Sequence, residues 1–128
     1  MTATTAEWVS KAEGDYDAAS ILRRSRKRSR YDAICFHSQQ CAEKYLKARL
    51  NEAGLPFGKT HDLDVLLQPL SGIEPRWMGM RPALKRLSDF AVAVRYPGWA
   101  TDNAAASEAF DTCRRLRELA RLSLGLKP

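Results

Sequence analysis

From Ile34 to about Ala53 the chain runs without glycine or proline, and Ile34, Ser38, Cys41, Ala42, Tyr45 and Leu46 recur at spacings of three and four. That is the period of a helix face. No segment of the chain sustains alternation of apolar and polar residues, so no sheet is expected. Helices with apolar stripes and no sheet to cover must bury those stripes against one another.

Local punctuation divides the rest of the chain. Thr4-Thr5-Ala6-Glu7 reads as a capping box, opening a helix to about Arg24 with Trp8, Ala12, Tyr16, Ala19 and Leu22 on one side. The basic segment 25–29 is the connection, and Ser29-Arg30-Tyr31-Asp32 offers the next start. Gly54 and Pro56 end the second helix. Residues 54–61 form a loop, and a short helix follows from Asp62 to about Leu70 with Leu63, Leu66, Leu67 and Leu70 inward. Gly72, Pro75, Gly79 and Pro82 make 71–82 irregular, or at most one turn. A helix over 83–94 carries Leu84, Leu87, Phe90, Ala91 and Val94. Tyr96-Pro97-Gly98 breaks it, and a last helix runs from about 102 to 124 through Ala105, Ala109, Phe110, Cys113 and Leu116. The expected fold is all-α, an antiparallel up-and-down bundle of about five helices forming a single domain over 1–128.

Charge narrows the functional classes. The formal net charge is +6. Arg23, Arg24, Arg26, Lys27, Arg28 and Arg30 form one basic cluster, and Arg114, Arg115, Arg117 and Arg121 a second. Such clusters suit nucleic acid or another polyanion, and they equally suit a solvated loop and helix face. No apolar run approaches the roughly 18 residues of a membrane span, and Met1–Thr5 lacks the layout of a signal peptide. A cytoplasmic protein without membrane contact is expected. Cys35, Cys41 and Cys113 form no CxxC pair, which reads as reduced, buried thiols. His37, Cys41 and His61 are conceivable metal ligands. Packing is the preferred reading, because zinc sites show clearer ligand spacing; no metal and no cofactor are expected. Trp77, Met78, Met80 and Trp99 fall in irregular segments, where they suit either an interface or a lid on the bundle.

Several local patterns occur in a definite order. Trp8, Ala12, Asp15 and Ala19 lie on the first helix. Gln39-Gln40, Glu43-Lys44 and Lys47-Ala48 lie on the second, followed by Gly54 and Pro56, then His61-Asp62-Leu63. Arg95-Tyr96-Pro97 precedes the last helix. In this order and spacing the chain resembles the HEPN domain family. The resemblance implies a helical bundle that is usually dimeric and often lies beside a minimal nucleotidyltransferase, as toxin and antitoxin or as two subunits. It also implies a link to nucleotide binding, through relatives similar to the helical domain of kanamycin nucleotidyltransferase. One large branch consists of metal-independent ribonucleases, marked by an Arg and, four to six residues on, a His near the start of the last long helix. Here no His follows Arg95. Arg30 and His37 stand seven apart, with six residues between them, but at the start of the second helix, a different place.

Two readings of the polar residues remain open. In one, Lys44, Lys47, His61 and Arg95 neutralise a nucleotide or RNA phosphate while Tyr96 stacks on a base. Arg95 would grip with two donors, and the helix start at His61-Asp62 would favour an anion. Gln40 and Glu43 would border the site, and Asp15 would face Lys47 or His61 from an antiparallel first helix. In the other reading these side chains are a salt-bridge network that orders the bundle. No catalytic residue is expected; a ribonuclease would have to use His37 or His61 with Arg95. The leading expectation is a homodimeric protein acting with a separate minimal nucleotidyltransferase. The alternatives are a metal-independent endoribonuclease toxin and a structural dimerisation module.

Overall fold

The computed structural model describes residues 1–25 and 30–128. Arg26, Lys27, Arg28 and the Ser29 start signal lie outside the described residues. The chain forms a packed bundle of five helices, with no strand among the described residues: α1 Ala3–Arg24, α2 Tyr31–Glu52, α3 Leu63–Leu67, α4 Arg81–Ala93 and α5 Asn103–Ser123. A 3₁₀ turn, Gln68–Leu70, extends α3, and a 3₁₀ segment, Pro75–Met80, leads into α4.

α2 is the central element. It packs most extensively on α1 and α5 and also touches α3 and α4. Its buried residues lie around most of its circumference, from Ile34 and Cys35 through Tyr45 and Leu46 to Ala48 and Leu50, as a helix with neighbours on several sides requires. Gly54 adopts φ +71°, and Leu55 N–H donates to Leu50 O at 2.9 Å. This is the left-handed helix stop that Gly permits, and it folds Leu55 back against the core.

Three local expectations are corrected, and one choice left open is decided. The cap of α1 is Thr2, not Thr4: Thr2 Oγ1 accepts from Thr5 N–H at 3.1 Å. The end of α2 selects it, because Asn51 donates to Thr2 Oγ1 and Thr5 Oγ1, and Thr2 N–H donates to Glu52. The 71–82 region holds more than one turn, since Pro75–Met80 is a six-residue 3₁₀ segment. Trp77 and Met80, three apart and so on one side of such a helix, are both buried in the core. Of the two readings left open, Trp77 and Met80 fit the lid; of the four Trp and Met residues in question, only Trp99 is strongly exposed. Finally, α4 starts at Arg81 and includes Pro82, whose missing N–H costs nothing in a first turn. Arg81 is held there by Asp64 through two bonds of 2.9 and 3.1 Å.

Candidate phosphate-binding site

Gln39, Glu43 and Lys47 follow one another at intervals of four on α2 and therefore share a face. Glu43 Oε1 accepts from Gln39 Nε2 at 3.1 Å and lies 2.9 Å from His61 Nδ1, while Oε2 accepts from Lys47 Nζ at 3.1 Å. Gln39 also donates to His61 O at 3.0 Å, and Gln40 donates to Gln39 Oε1 at 2.8 Å. Burial pushes the Glu43 carboxyl up, but the bonds from Gln39, His61 and Lys47 outweigh it and hold the group below the usual carboxylate range. Lys47 is 7% exposed, with Nζ 5.5 Å from the Trp8 ring centre and 5.9 Å from that of Phe57. A cation held by a carboxylate and two aromatic faces is already satisfied.

Asp15 meets neither Lys47 nor His61. It lies 2.9 Å from His37 Nδ1 and accepts from Lys44 Nζ at 2.5 Å. Lys44 and Lys47 thus belong to two separate networks. The helix start at His61-Asp62 is occupied by its own cap, since Asp62 Oδ1 accepts from the N–H groups of Asp64 and Val65. His37, Cys41 and His61 do not converge: His37 is on Asp15, His61 on Glu43, and Cys41 is buried beside Cys113. Burial and the Cys113 neighbour push the Cys41 thiol well above its usual range.

Sequence reasoning missed a third network. Glu13 on α1 accepts two bonds of 2.7 Å from Arg117 and one of 2.5 Å from Tyr45 Oη, with Arg121 at 3.5 Å. Arg121 also donates to Tyr45 Oη at 3.2 Å. Arg117 stands 4.2 Å over the Tyr16 ring, which stacks on Phe110. Burial raises the Glu13 carboxyl, the bonds from Arg117 and Tyr45 lower it, and the balance falls below the usual range. Arg114 pairs with Asp111 and Glu118. Most of the second basic cluster is therefore neutralised within the bundle.

The uncommitted cations lie elsewhere. Asp32, in the first turn of α2, accepts from Thr101 N–H at 2.9 Å and from Thr101 Oγ1 at 2.6 Å, tying the α4–α5 loop to the start of α2. That loop carries Arg95, Tyr96 and Trp99, all exposed, with Tyr96 at 59% and Trp99 at 65%. The Arg95 guanidinium lies 5.8 Å from the Phe36 ring centre, and the Phe36 and His37 ring centres are 5.2 Å apart in a T-shaped arrangement. Arg95 has no acidic partner among the described residues. A cleft of about 290 Å³, lined by Arg23, Ser25, Tyr31, Ile34 and Asn103, marks where the end of α1 meets the starts of α2 and α5. Arg95 and Tyr96 are thus placed at this end of the bundle, and Arg95, unlike Lys44, Lys47 and His61, has no carboxylate contact among the described residues.

The family model for the HEPN domain matches residues 5–123, and the chain belongs to the HEPN domain family. No curated protein and no solved structure matches it.

Proposed function

We propose that this HEPN-domain protein binds nucleotide or RNA phosphate at the Arg95 end of the bundle. It acts there as a homodimer with a separate minimal nucleotidyltransferase, without robust nuclease activity of its own. The observation that carries the binding reading is the environment of Arg95. Its guanidinium lies against the Phe36 face, free of any carboxylate among the described residues, beside exposed Tyr96 and Trp99. A guanidinium resting on an aromatic face keeps its N–H edge available for two phosphate oxygens. Exposed aromatic faces next to it accept bases. Arg23, Arg24 and Arg30 add positive potential at the ends of α1 and α2. The partner and the homodimer rest on the family's habit of pairing.

The test is fluorescence anisotropy with labelled single-stranded RNA and competing nucleotides, at low and high salt. Binding should weaken as salt rises. Arg95→Lys should weaken it although the charge is kept, and Tyr96→Ala should weaken it through lost stacking. Lys47→Met should leave it unchanged. Undetectable binding at low salt rejects the proposal. Loss only on neutralising the Arg23–Arg30 segment moves the polyanion to the α1–α2 connection. Co-purification with a co-expressed minimal nucleotidyltransferase checks the partner.

One observation favours the endoribonuclease reading. Asp15 engages His37 Nδ1, a contact that can hold the ring with Nε2 as proton acceptor. Chelator-resistant RNA cleavage, abolished in His37→Ala, would establish that reading in place of the non-catalytic one.

A further inference from the structure

A second surface lies at the far end of α5. Asn103 and Leu122 are separated by about 28 Å at the helical rise of about 1.5 Å per residue, so this surface is independent of the Arg95 end. Between the 3₁₀ segment and the last turns of α5 runs a groove of about 470 Å³, walled by Ile73, Pro75 and Trp77 on one side and Leu119 and Leu122 on the other. Ile73 is 46% exposed and Leu122 59%. Arg115, Leu119 and Leu122 fall at helical intervals of four and three, so Arg115 continues the groove-facing stripe one turn earlier. Arg76 lies among the lining residues on the opposite wall.

The charges around this groove are unbalanced. Glu74 accepts from Arg49 at 2.8 Å and also from Ser123. Glu118 is paired with Arg114 at 3.4 Å. Arg76 and Arg115 are both exposed, and neither has an acidic partner among the described residues. The result is an apolar groove flanked by two uncommitted cations, with its nearby carboxylates already engaged.

We propose that this groove docks an acidic amphipathic helix of a partner protein. Apolar side chains spaced one helical turn apart fit between Ile73 and Leu122, as in other helix-in-groove complexes. Glu or Asp residues on the two flanks of that helix meet Arg76 and Arg115, which sets orientation and rejects basic competitors. A second copy of this chain is the poorer occupant, because it brings a net charge of +6 to a rim that is already basic.

The experiment uses the full chain and two labelled helical peptides with the same leucine stripe. One carries glutamates on its flanks and the other lysines. Anisotropy should show binding of the glutamate peptide, weakened by salt. Leu122→Asp should weaken it by about tenfold or more; Leu122 is exposed, so the variant should retain the parent circular dichroism and melting curve. Arg76→Glu combined with Arg115→Glu should reverse the preference toward the lysine peptide. Absence of binding, equal affinity for both peptides, or indifference to Leu122→Asp overturns the proposal. So does a dimer that Leu122→Asp dissociates, since the groove is then filled by a second copy. RNA binding at the Arg95 end should be unchanged in Leu122→Asp, which separates failure of this inference from failure of the phosphate site.

Discussion

Arg117 on α5 grips Glu13 on α1 with two hydrogen bonds of 2.7 Å, across the hydroxyl of Tyr45 on α2. One carboxylate therefore ties together the three long helices. Its geometry is the planar two-donor match between guanidinium and carboxylate, and Tyr16 covers the guanidinium face. This makes it a structural centre and removes Arg117 from any polyanion surface.

Glu13→Gln keeps the shape and removes the charge. With Glu13 only partly exposed, the variant should lose about 2 kcal/mol of stability, in the range of hydrogen bonds to charged groups. Urea denaturation should show a lower midpoint at unchanged slope. A midpoint equal to that of the parent would show that the cluster contributes nothing net.

Acid should destabilise the fold in a defined window. Glu13 and Glu43 both titrate below the usual glutamate range when folded, whereas the unfolded chain titrates at about 4.3. The unfolded state then binds more protons as the pH falls through that region. Their stabilisation is complete above about pH 5 and is lost as the pH falls through the lower folded values. Denaturation midpoints measured from neutral pH downward should decline there, and less steeply in a Glu13→Gln, Glu43→Gln double variant. A flat profile contradicts the assignment.

Asp32→Ala should loosen the loop that carries Arg95. Two bonds to Thr101 are lost, at a cost of about 1–2 kcal/mol. The Thr101 amide should exchange with solvent faster, while amides in the middle of α2 should not. If the loop is pre-organised for phosphate, RNA affinity should fall in parallel; a fall in stability with RNA affinity intact would place the contact outside the binding function.

Ser38→Ala should stabilise the protein. Ser38 is fully buried, and its Oγ has no hydrogen-bond partner among the described residues. Removing a desolvated, unsatisfied hydroxyl should gain about 1 kcal/mol, read as a higher melting temperature. A lower melting temperature would mean that the hydroxyl is satisfied by an internal water.

Helix existence, most helix ends and the apolar stripes were legible in the chain because they depend on residues within a turn or two; the cap of α1 was not, because Asn51 and Glu52 at the end of α2 select Thr2. Gly54 stops α2 by adopting positive φ, Asp62 and Asp102 cap the helices that follow them, and the stripe from Ile34 to Leu46 is buried as its period requires. The ordered motifs Gln39-Gln40, Glu43-Lys44, Lys47-Ala48, His61-Asp62-Leu63 and Arg95-Tyr96-Pro97 pointed to the family whose model matches residues 5–123. The partners of the charged side chains were decided by tertiary structure. Arg117 and Glu13 are 104 residues apart, and Asp15 chose His37 and Lys44 over Lys47 and His61. Period fixes which residues share a helix face. The rotation and offset of one helix against the next, set by packing of the whole core, fix which faces meet. That is why the sequence could list the cations of the candidate site, while only the packed bundle decided that Lys44 and Lys47 are bound to carboxylates and that Arg95 has no acidic partner among the described residues.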